Sequence, residues 1–239
     1  MNLILFEPEE LSRPLARADR RATHLLEVLR RQPGETFDAG IINGPRGKGT
    51  VVAVGPNSLE LTFAPELAPA PPTPITLIVG LPRPQTARDI LREASTLGVA
   101  DLHFVRTEKG DPNYAQSTLW TSGEWRQHVI AGAEQAFATQ IPEVTHHHTS
   151  LCSLLETLGD DGQRLALDNY ESAAAFSSAI FTEAPVLLAF GSERGWSTGE
   201  RDQLRAAGFT LLNLGSRVLR TETAVIATLA IMRAKLGLM

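Results

Sequence analysis

The rhythm of apolar positions changes twice along the chain and divides it into three stretches. Asn2 to Phe6 (NLILF) reads as a short strand. From Asp19 to Arg31 the apolar residues Leu25, Leu26, Val28 and Leu29 recur at helical spacing among Arg17, Arg20, Arg21, Arg30 and Arg31, and Pro33-Gly34 stops that helix. Three strands are predicted next, Glu35 to Asn43, Gly49 to Gly55 and Ser58 to Phe63, the first two joined by the turn Asn43-Gly44-Pro45-Arg46-Gly47-Lys48-Gly49. Several short strands with one helix suggest a small β-barrel. Ala64 to Pro74 then carries five prolines in eleven residues. Proline cannot donate to a sheet ladder, so this run is expected to be a stiff connector between domains 1–70 and 71–239.

Beyond the connector, strands alternate with helices, the mark of an α/β domain with a mainly parallel sheet. Ile75 to Leu81 is apolar throughout, as a strand covered on both faces should be. The pattern then predicts a helix over Pro84 to Gly98, a strand over Val99 to Val105, a long helix from Gly123 to Thr139 and a strand starting near Val144. Leu151 to Leu158 is expected to be helical, Arg164 to Leu167 a strand and Ser172 to Phe181 a helix. Pro185 to Phe190 is a strand, Thr198 to Ala207 a helix and Phe209 to Leu214 the last strand.

Composition narrows the class of protein. The 239 residues are 43% hydrophobic and 21% charged, as in an ordinary globular chain. No apolar run reaches membrane-spanning length and the N-terminus lacks a secretion signal, so a cytoplasmic protein with no membrane partner is expected. Cys152 is the single cysteine, which excludes an intramolecular disulfide and a cysteine metal cluster. The net charge of −5 argues against a general nucleic-acid coat, and no DNA partner is expected. Charge is uneven, however: residues 1–50 hold eight Lys/Arg and seven Asp/Glu, and residues 131–239 hold eight and twelve. Basic character therefore sits towards the N-terminal part, where it can steer nucleic acid locally. Arg46 and Lys48 could touch a phosphate backbone there, or simply be solvated at a hairpin tip.

The chemistry concentrates at three turns that follow the last three strands of the α/β region: Asp168-Asn169-Tyr170, Gly191-Ser192-Glu193-Arg194-Gly195 and Gly215-Ser216-Arg217. In open α/β sheets ligands bind beyond the carboxyl ends of the strands. The third turn runs into Arg220-Thr221-Glu222-Thr223 and then an almost wholly apolar helix. Thr and Glu suit a helix N-terminus, but Arg217 and Arg220 stand where a helix disfavours cations, a local conflict that points to a site. Neither a Walker A pattern nor a Gly-x-Gly-x-x-Gly after a strand is present. Ser192 lacks the setting of a hydrolase nucleophile. His146-His147-His148 on a strand would point to alternating faces and so could not converge on a metal; no metal is expected. Trp120, Trp125 and Trp196 could stack on bases, although packing is the commoner fate of tryptophan.

The segment PVLLAFGSERGWSTGERDQLRAAGFTLLNLGSRVLRTETAVIATLAIM closely resembles the C-terminal signature of the bacterial 16S ribosomal RNA uridine-N3 methyltransferases (RsmE-type) of the SPOUT superfamily. The shared positions are Gly191, Glu193 and Gly195, then Leu214, Gly215, Arg217, Val218, Leu219, Arg220, Thr221, Glu222, Thr223 and Ala224. His24-Leu25-Leu26-Glu27-Val28-Leu29-Arg30 and Pro33-Gly34-Glu35 match the family's N-terminal pattern, and Leu97-Gly98, Glu134-Gln135 and Pro142-Glu143-Val144 match its middle. The family's Gly-Pro-Glu-Gly-Gly reads Gly-Ser-Glu-Arg-Gly here, and Glu93 and Thr96 stand where Lys and Glu are usual.

The resemblance implies a PUA-like barrel for RNA docking, followed by a SPOUT domain with a C-terminal trefoil knot and a homodimer with its active site at the subunit interface. The implied cofactor is S-adenosyl-L-methionine, bound by Leu167, Phe190, Gly191, Glu193, Gly195, Leu214, Gly215, Ser216, Val218, Leu219 and Thr223. Arg220 and Glu222 are the implied catalytic residues. His24, Arg30, Arg46, Lys48 and Arg217 are the candidates for contact with RNA, and the implied partner is 16S ribosomal RNA or the small ribosomal subunit. Two alternatives remain open: a SPOUT enzyme acting on a different RNA base, and a catalytically silent RNA-binding assembly protein.

Overall fold

The structure is a computed structural model that describes residues 3–159, 161–181 and 185–238. Asn2 and the side chains of His147 and His148, which entered the expectations above, lie outside the described residues. The chain forms two compact units, Met1–Pro71 with Ala133–Ile141, and Pro72–Gly132 with Pro142–Met239.

The first unit contains β1 (Ile4–Phe6), β2 (Leu15–Ala16), α1 (Arg20–Thr23), β3 (Thr36–Ile41), β4 (Arg46–Val54) and β5 (Ser58–Leu67). Its sheet has the order β1-β3-β4-β5-β2, with β1 and β3 parallel and the other pairs antiparallel. Alternate strand residues such as Ile4, Phe6, Phe37, Ala39, Val51 and Leu59 meet Ala22 and Leu25 in one apolar core. The helix predicted from Asp19 is capped by the Asp19 carboxylate, which accepts from the Arg21 N–H at 2.8 Å. It widens into a π-helical turn over His24–Val28 and ends at Arg30, whose φ is +53°.

Two strand boundaries correct the sequence expectation. The ladder of β5 runs on to Leu67, through the start of the expected proline connector. Pro65 is accommodated because it lies opposite Gly47 at a register shift, while β2 covers only Leu59 and Ser58 on the other edge of β5. The missing N–H therefore costs no ladder bond, as expected of proline on a strand edge. In addition, β4 begins at Arg46, which places Arg46 and Lys48 in a paired strand rather than at a hairpin tip.

Arg21 ties this unit together. Its guanidinium donates to both Glu10 oxygens at 2.7 Å, to Asp19 at 2.8 and 3.0 Å and to the Leu5 carbonyl at 3.2 Å, and it lies over the Phe6 ring. These bonds hold the Glu10 and Asp19 carboxyls below their ordinary values. A depressed carboxyl pKa stabilises the fold above the unfolded value, and that contribution is lost as pH falls through the folded one. Arg21→Ala is therefore expected to cost about 2–3 kcal/mol at neutral pH. In urea melts the gap to the unaltered protein should shrink below about pH 4, where the unfolded carboxyls take up protons.

The second unit contains β6 (Thr73–Gly80), α2 (Pro84–Thr96), β7 (Val99–Arg106), α3 (Thr118–Thr121), α4 (Trp125–Gln135), β8 (Glu143–Ser150) and α5 (Leu151–Leu155). It continues with β9 (Gln163–Leu167), β10 (Ala174–Ala175), β11 (Val186–Phe190), α6 (Thr198–Ala206), β12 (Thr210–Asn213) and α7 (Thr221–Lys235). The last turn of α4 counts with the first unit, where Glu134 accepts from the Leu5 N–H at 3.1 Å and burial pushes its carboxyl up. The seven strands have the order β10-β12-β9-β11-β6-β7-β8, and every pairing is parallel. All five residues of β11 are buried, as a strand in the middle of a doubly covered sheet requires.

The helix expected over Ser172 to Phe181 is absent; β10 and a single 3-10 turn at Phe176–Ser178 replace it. Helix propensity of the alanine run loses to tertiary contacts. Ala174 and Ala175 pair with Leu212 and Asn213, the Asn213 amide donates to Ser172 Oγ and the Ala174 carbonyl, and the buried Phe176 packs on Phe181.

This strand order positions the site. β12 lies outside β9, yet α7 packs against α2, with Arg233 donating to the Leu97 carbonyl at 2.7 Å. The segment from Leu214 to Arg220 must therefore return past the carboxyl ends of β9 and β11.

Candidate active site

The loops after β9, β11 and β12 enclose one cavity of about 400 Å³. Of the cofactor-binding candidates, Leu167, Phe190, Gly191, Glu193, Gly195, Leu214, Val218 and Leu219 line it. Gly215, Ser216 and Thr223 belong to the same loop and helix start but are not part of the lining. Both catalytic candidates, Arg220 and Glu222, line the cavity, whereas Arg217 is exposed outside it.

The loop after β11 is shaped by its glycines. A Cβ on Gly191 would come within 2.9 Å of the Gly195 backbone, so the turn closes only without one. Gly195 has φ +66°, the left-handed region that favours glycine. The Trp196 indole N–H, fully buried, donates to the Leu167 carbonyl at 3.1 Å and fastens this loop to the end of β9. Lys109 reaches the Trp196 carbonyl at 2.7 Å. Ser197 and Glu200 then form a capping box that starts α6, with Glu200 also accepting from the Glu108 N–H at 2.8 Å.

Glu193 is engaged within the chain. Its carboxylate accepts from the Arg83 backbone N–H at 2.9 Å and from Arg83 Nε at 3.3 Å. It thus joins the start of α2 to the rim of the cavity. Ser192, at the position where the related signature has proline, is buried, and among the described residues its Oγ has no hydrogen-bond partner.

The loop after β9 is held from α6. Arg201 and Asp168 are each about 5% exposed and form a two-pronged pair with both N···O distances at 3.0 Å. Asp168 also accepts from the Tyr170 and Glu171 amides at 3.2 and 2.6 Å, and Arg205 grips Glu171 at 2.6 Å. Arg201 was not among the sequence candidates. Its one signal is spacing: it precedes the buried Leu204 by three positions and so shares the inward face of α6.

At the start of α7, Arg220 occupies the N-cap position with an extended backbone, and its side chain makes no cap bond. Among the described residues the side chains of Arg220, Glu222 and Arg194 form no hydrogen bond or ion pair. A cation at the positive end of a helix is electrostatically disfavoured, and nothing else in the fold uses this one.

The N-terminal candidates are differently placed. Arg46 donates to the Phe137 carbonyl and stacks on the Phe137 ring at 4.7 Å, while Lys48 pairs with Asp38 at 2.6 Å. His24 is half-buried at the start of the π-helical turn and Arg30 is exposed. Trp120 is buried against Phe104 and His146, and Trp196 is fully buried, so neither offers a face to a base. Among the described residues, no three His, Cys, Asp or Glu side chains are arranged to hold a metal, and no helix is long and apolar enough to cross a membrane.

Residues 69–233, which include every wall of the cavity, match the family described as the RNA methyltransferase domain. A ribosomal RNA small subunit methyltransferase E of Treponema pallidum is 36% identical over 98% of this chain and 91% of its own length. The chain belongs to this RNA methyltransferase family. Its fold agrees with solved members. The ribosomal RNA small subunit methyltransferase E of Neisseria gonorrhoeae, solved with S-adenosyl methionine bound, superposes with a TM-score of 0.78 at 23% identity, covering 98% of this chain and 97% of that one. A probable rRNA-methyltransferase of Porphyromonas gingivalis gives 0.83 at 18% identity, covering 99% of each chain. The methyltransferase thus has the expected α/β fold with a parallel sheet and a second, curled sheet.

Proposed function

We propose that the protein is an S-adenosyl-L-methionine-dependent methyltransferase that modifies N3 of a uridine in 16S ribosomal RNA of the small subunit, acting as a cytoplasmic homodimer. The observation that carries this reading is the convergence of three strand-end loops on one cavity with an unpartnered arginine and glutamate at its edge. The relationship to the Treponema methyltransferase over nearly the whole chain supports the same substrate class.

The residues present fit the cofactor. A volume of about 400 Å³ lies in the range of small-molecule sites. Leu167, Phe190, Leu214, Val218 and Leu219 offer apolar walls, and the glycine-bearing loops bring backbone polar groups close to a ligand. Glu193 would act through Arg83, holding the rim rather than the ligand. When bound, S-adenosylmethionine supplies a methyl group already activated by a sulfonium centre.

The chain's own residues must solve the other half of the reaction. Neutral uridine N3 carries a proton and has no useful lone pair, so the proton must leave as the N–C bond forms. Arg220 stabilises the negative charge that develops on a uridine oxygen. Glu222, one residue into the helix, takes the N3 proton or orients Arg220. Because N3 lies on the pairing edge, the base must be unpaired or turned out of its helix. Arg217 and Arg30, both exposed, would hold phosphates, unless Arg217 only braces its loop; His24, Arg46 and Lys48 belong to the unit we assign as the PUA-like RNA-docking domain.

Mass spectrometry of ribosomal RNA from a strain lacking the gene tests the reading. Loss of one N3-methyluridine from 16S RNA, restored by the wild-type gene, is expected. An unchanged set of N3-methyluridines with a different missing methyl mark would reassign the base. No missing mark, together with no saturable S-adenosylmethionine binding in calorimetry, would leave a silent assembly protein.

A further inference from the structure

We propose that Tyr170 is a stacking platform for a planar nucleobase, braced from behind by Arg201. The proposal rests on the methyltransferase reading of the cavity. Tyr170 lines that cavity and is 76% exposed, whereas the other aromatic residue of the lining, Phe190, is 2% exposed and has no free face. An exposed tyrosine is commonplace; what sets this one apart is how firmly it is held.

Its backbone N–H donates to Asp168 Oδ2 at 3.2 Å, and the neighbouring Glu171 N–H donates to the same oxygen at 2.6 Å. One face of the ring lies against the Arg201 guanidinium, with Cζ 5.3 Å from the ring centroid. That guanidinium is itself fixed by two bonds to Asp168 at 3.0 Å and one to Glu171 at 3.4 Å. A cation fixed against one face leaves the other to the cavity, and the ring has little freedom left to lose on binding. Flat, pre-ordered aromatic surface at the edge of a nucleic-acid enzyme's cavity suits stacking on a base.

Two nucleobases meet that description: the adenine of the cofactor and a uracil turned out of the RNA. They share the chemistry that Tyr170 recognises, and affinity measurements separate them. Titration with S-adenosylhomocysteine in a calorimeter reads the first. Fluorescence anisotropy of a single-stranded, uridine-containing oligonucleotide, with S-adenosylhomocysteine saturating, reads the second. Tyr170→Ala is expected to weaken one of the two affinities tenfold or more, while Tyr170→Phe stays within about twofold of wild type.

Since the side chain is exposed, neither variant should shift the melting temperature, which excludes misfolding as the cause. Loss confined to the first titration assigns adenine, and loss confined to the second assigns the substrate base. Affinities of Tyr170→Ala that both stay within twofold of a binding wild type overturn the proposal alone. A wild-type protein that binds neither probe overturns the functional reading and this proposal with it.

Discussion

Arg220→Ala is expected to lower the rate constant for methyl transfer about a thousandfold while leaving S-adenosylmethionine affinity within a few-fold. The size follows from the loss of a preorganised donor to a developing oxyanion, which typically costs two to three orders of magnitude in kcat. Arg220 lines the cavity, yet among the described residues its side chain is spent on no bond within the protein. Its removal therefore creates no buried orphan. Arg220 occupies the N-cap without a side-chain cap bond, so stability should stay level or rise by a few tenths of a kcal/mol as a cation leaves the positive helix end. Arg220→Lys keeps the charge but loses the planar fork, and should recover only part of the rate. Single-turnover assays with purified ribosomal RNA, alongside calorimetry and thermal melts, check all three outcomes. A variant that no longer binds the cofactor would move Arg220 out of the catalytic role and into the cofactor pocket.

Local rules make part of this candidate site legible in the sequence. In Arg-Thr-Glu at the first turn of an apolar helix, Thr and Glu suit a helix start while Arg violates the helix dipole, and among the described residues Arg220 and Glu222 are left without a partner inside the protein. The alternation of apolar strands with helices predicted the α/β class and the three loops, because parallel strands buried on both faces read as unbroken apolar runs. Tertiary choices were not legible. Nothing in Ser172 to Phe181 favours a strand over a helix until Asn213 offers its amide to Ala174 and Ser172. Pro65 looks like a ladder breaker until it is known to face an open strand edge. The local pattern leaves Arg46 open to a phosphate contact or a solvated hairpin tip; in the fold it starts a strand and its guanidinium is engaged by Phe137, ninety-one residues away. A long-range partner of this kind leaves no trace in local pattern.

The same holds for the strongest polar contact at the cavity. Arg201→Met is expected to destabilise the second unit by about 3–5 kcal/mol, because it leaves the Asp168 carboxylate buried without its cation. For a unit of this size that corresponds to a fall of roughly 6–20 °C in melting temperature. The paired change Asp168→Asn with Arg201→Met removes the uncompensated charge, and most of the lost stability should return. Function should not return with it. One oxygen of the Asp168 carboxylate accepts both the Tyr170 and Glu171 amides, and the neutral amide oxygen of asparagine accepts less strongly than a charged carboxylate, so it holds the wall of the cavity less well. The double variant should fold yet bind S-adenosylmethionine about tenfold or more weakly, since a misplaced wall loses its contacts with the ligand. Calorimetry at a temperature where both proteins are folded separates the two effects. Recovery of stability and affinity together would mean that the pair serves only the fold and that the loop keeps its shape without it.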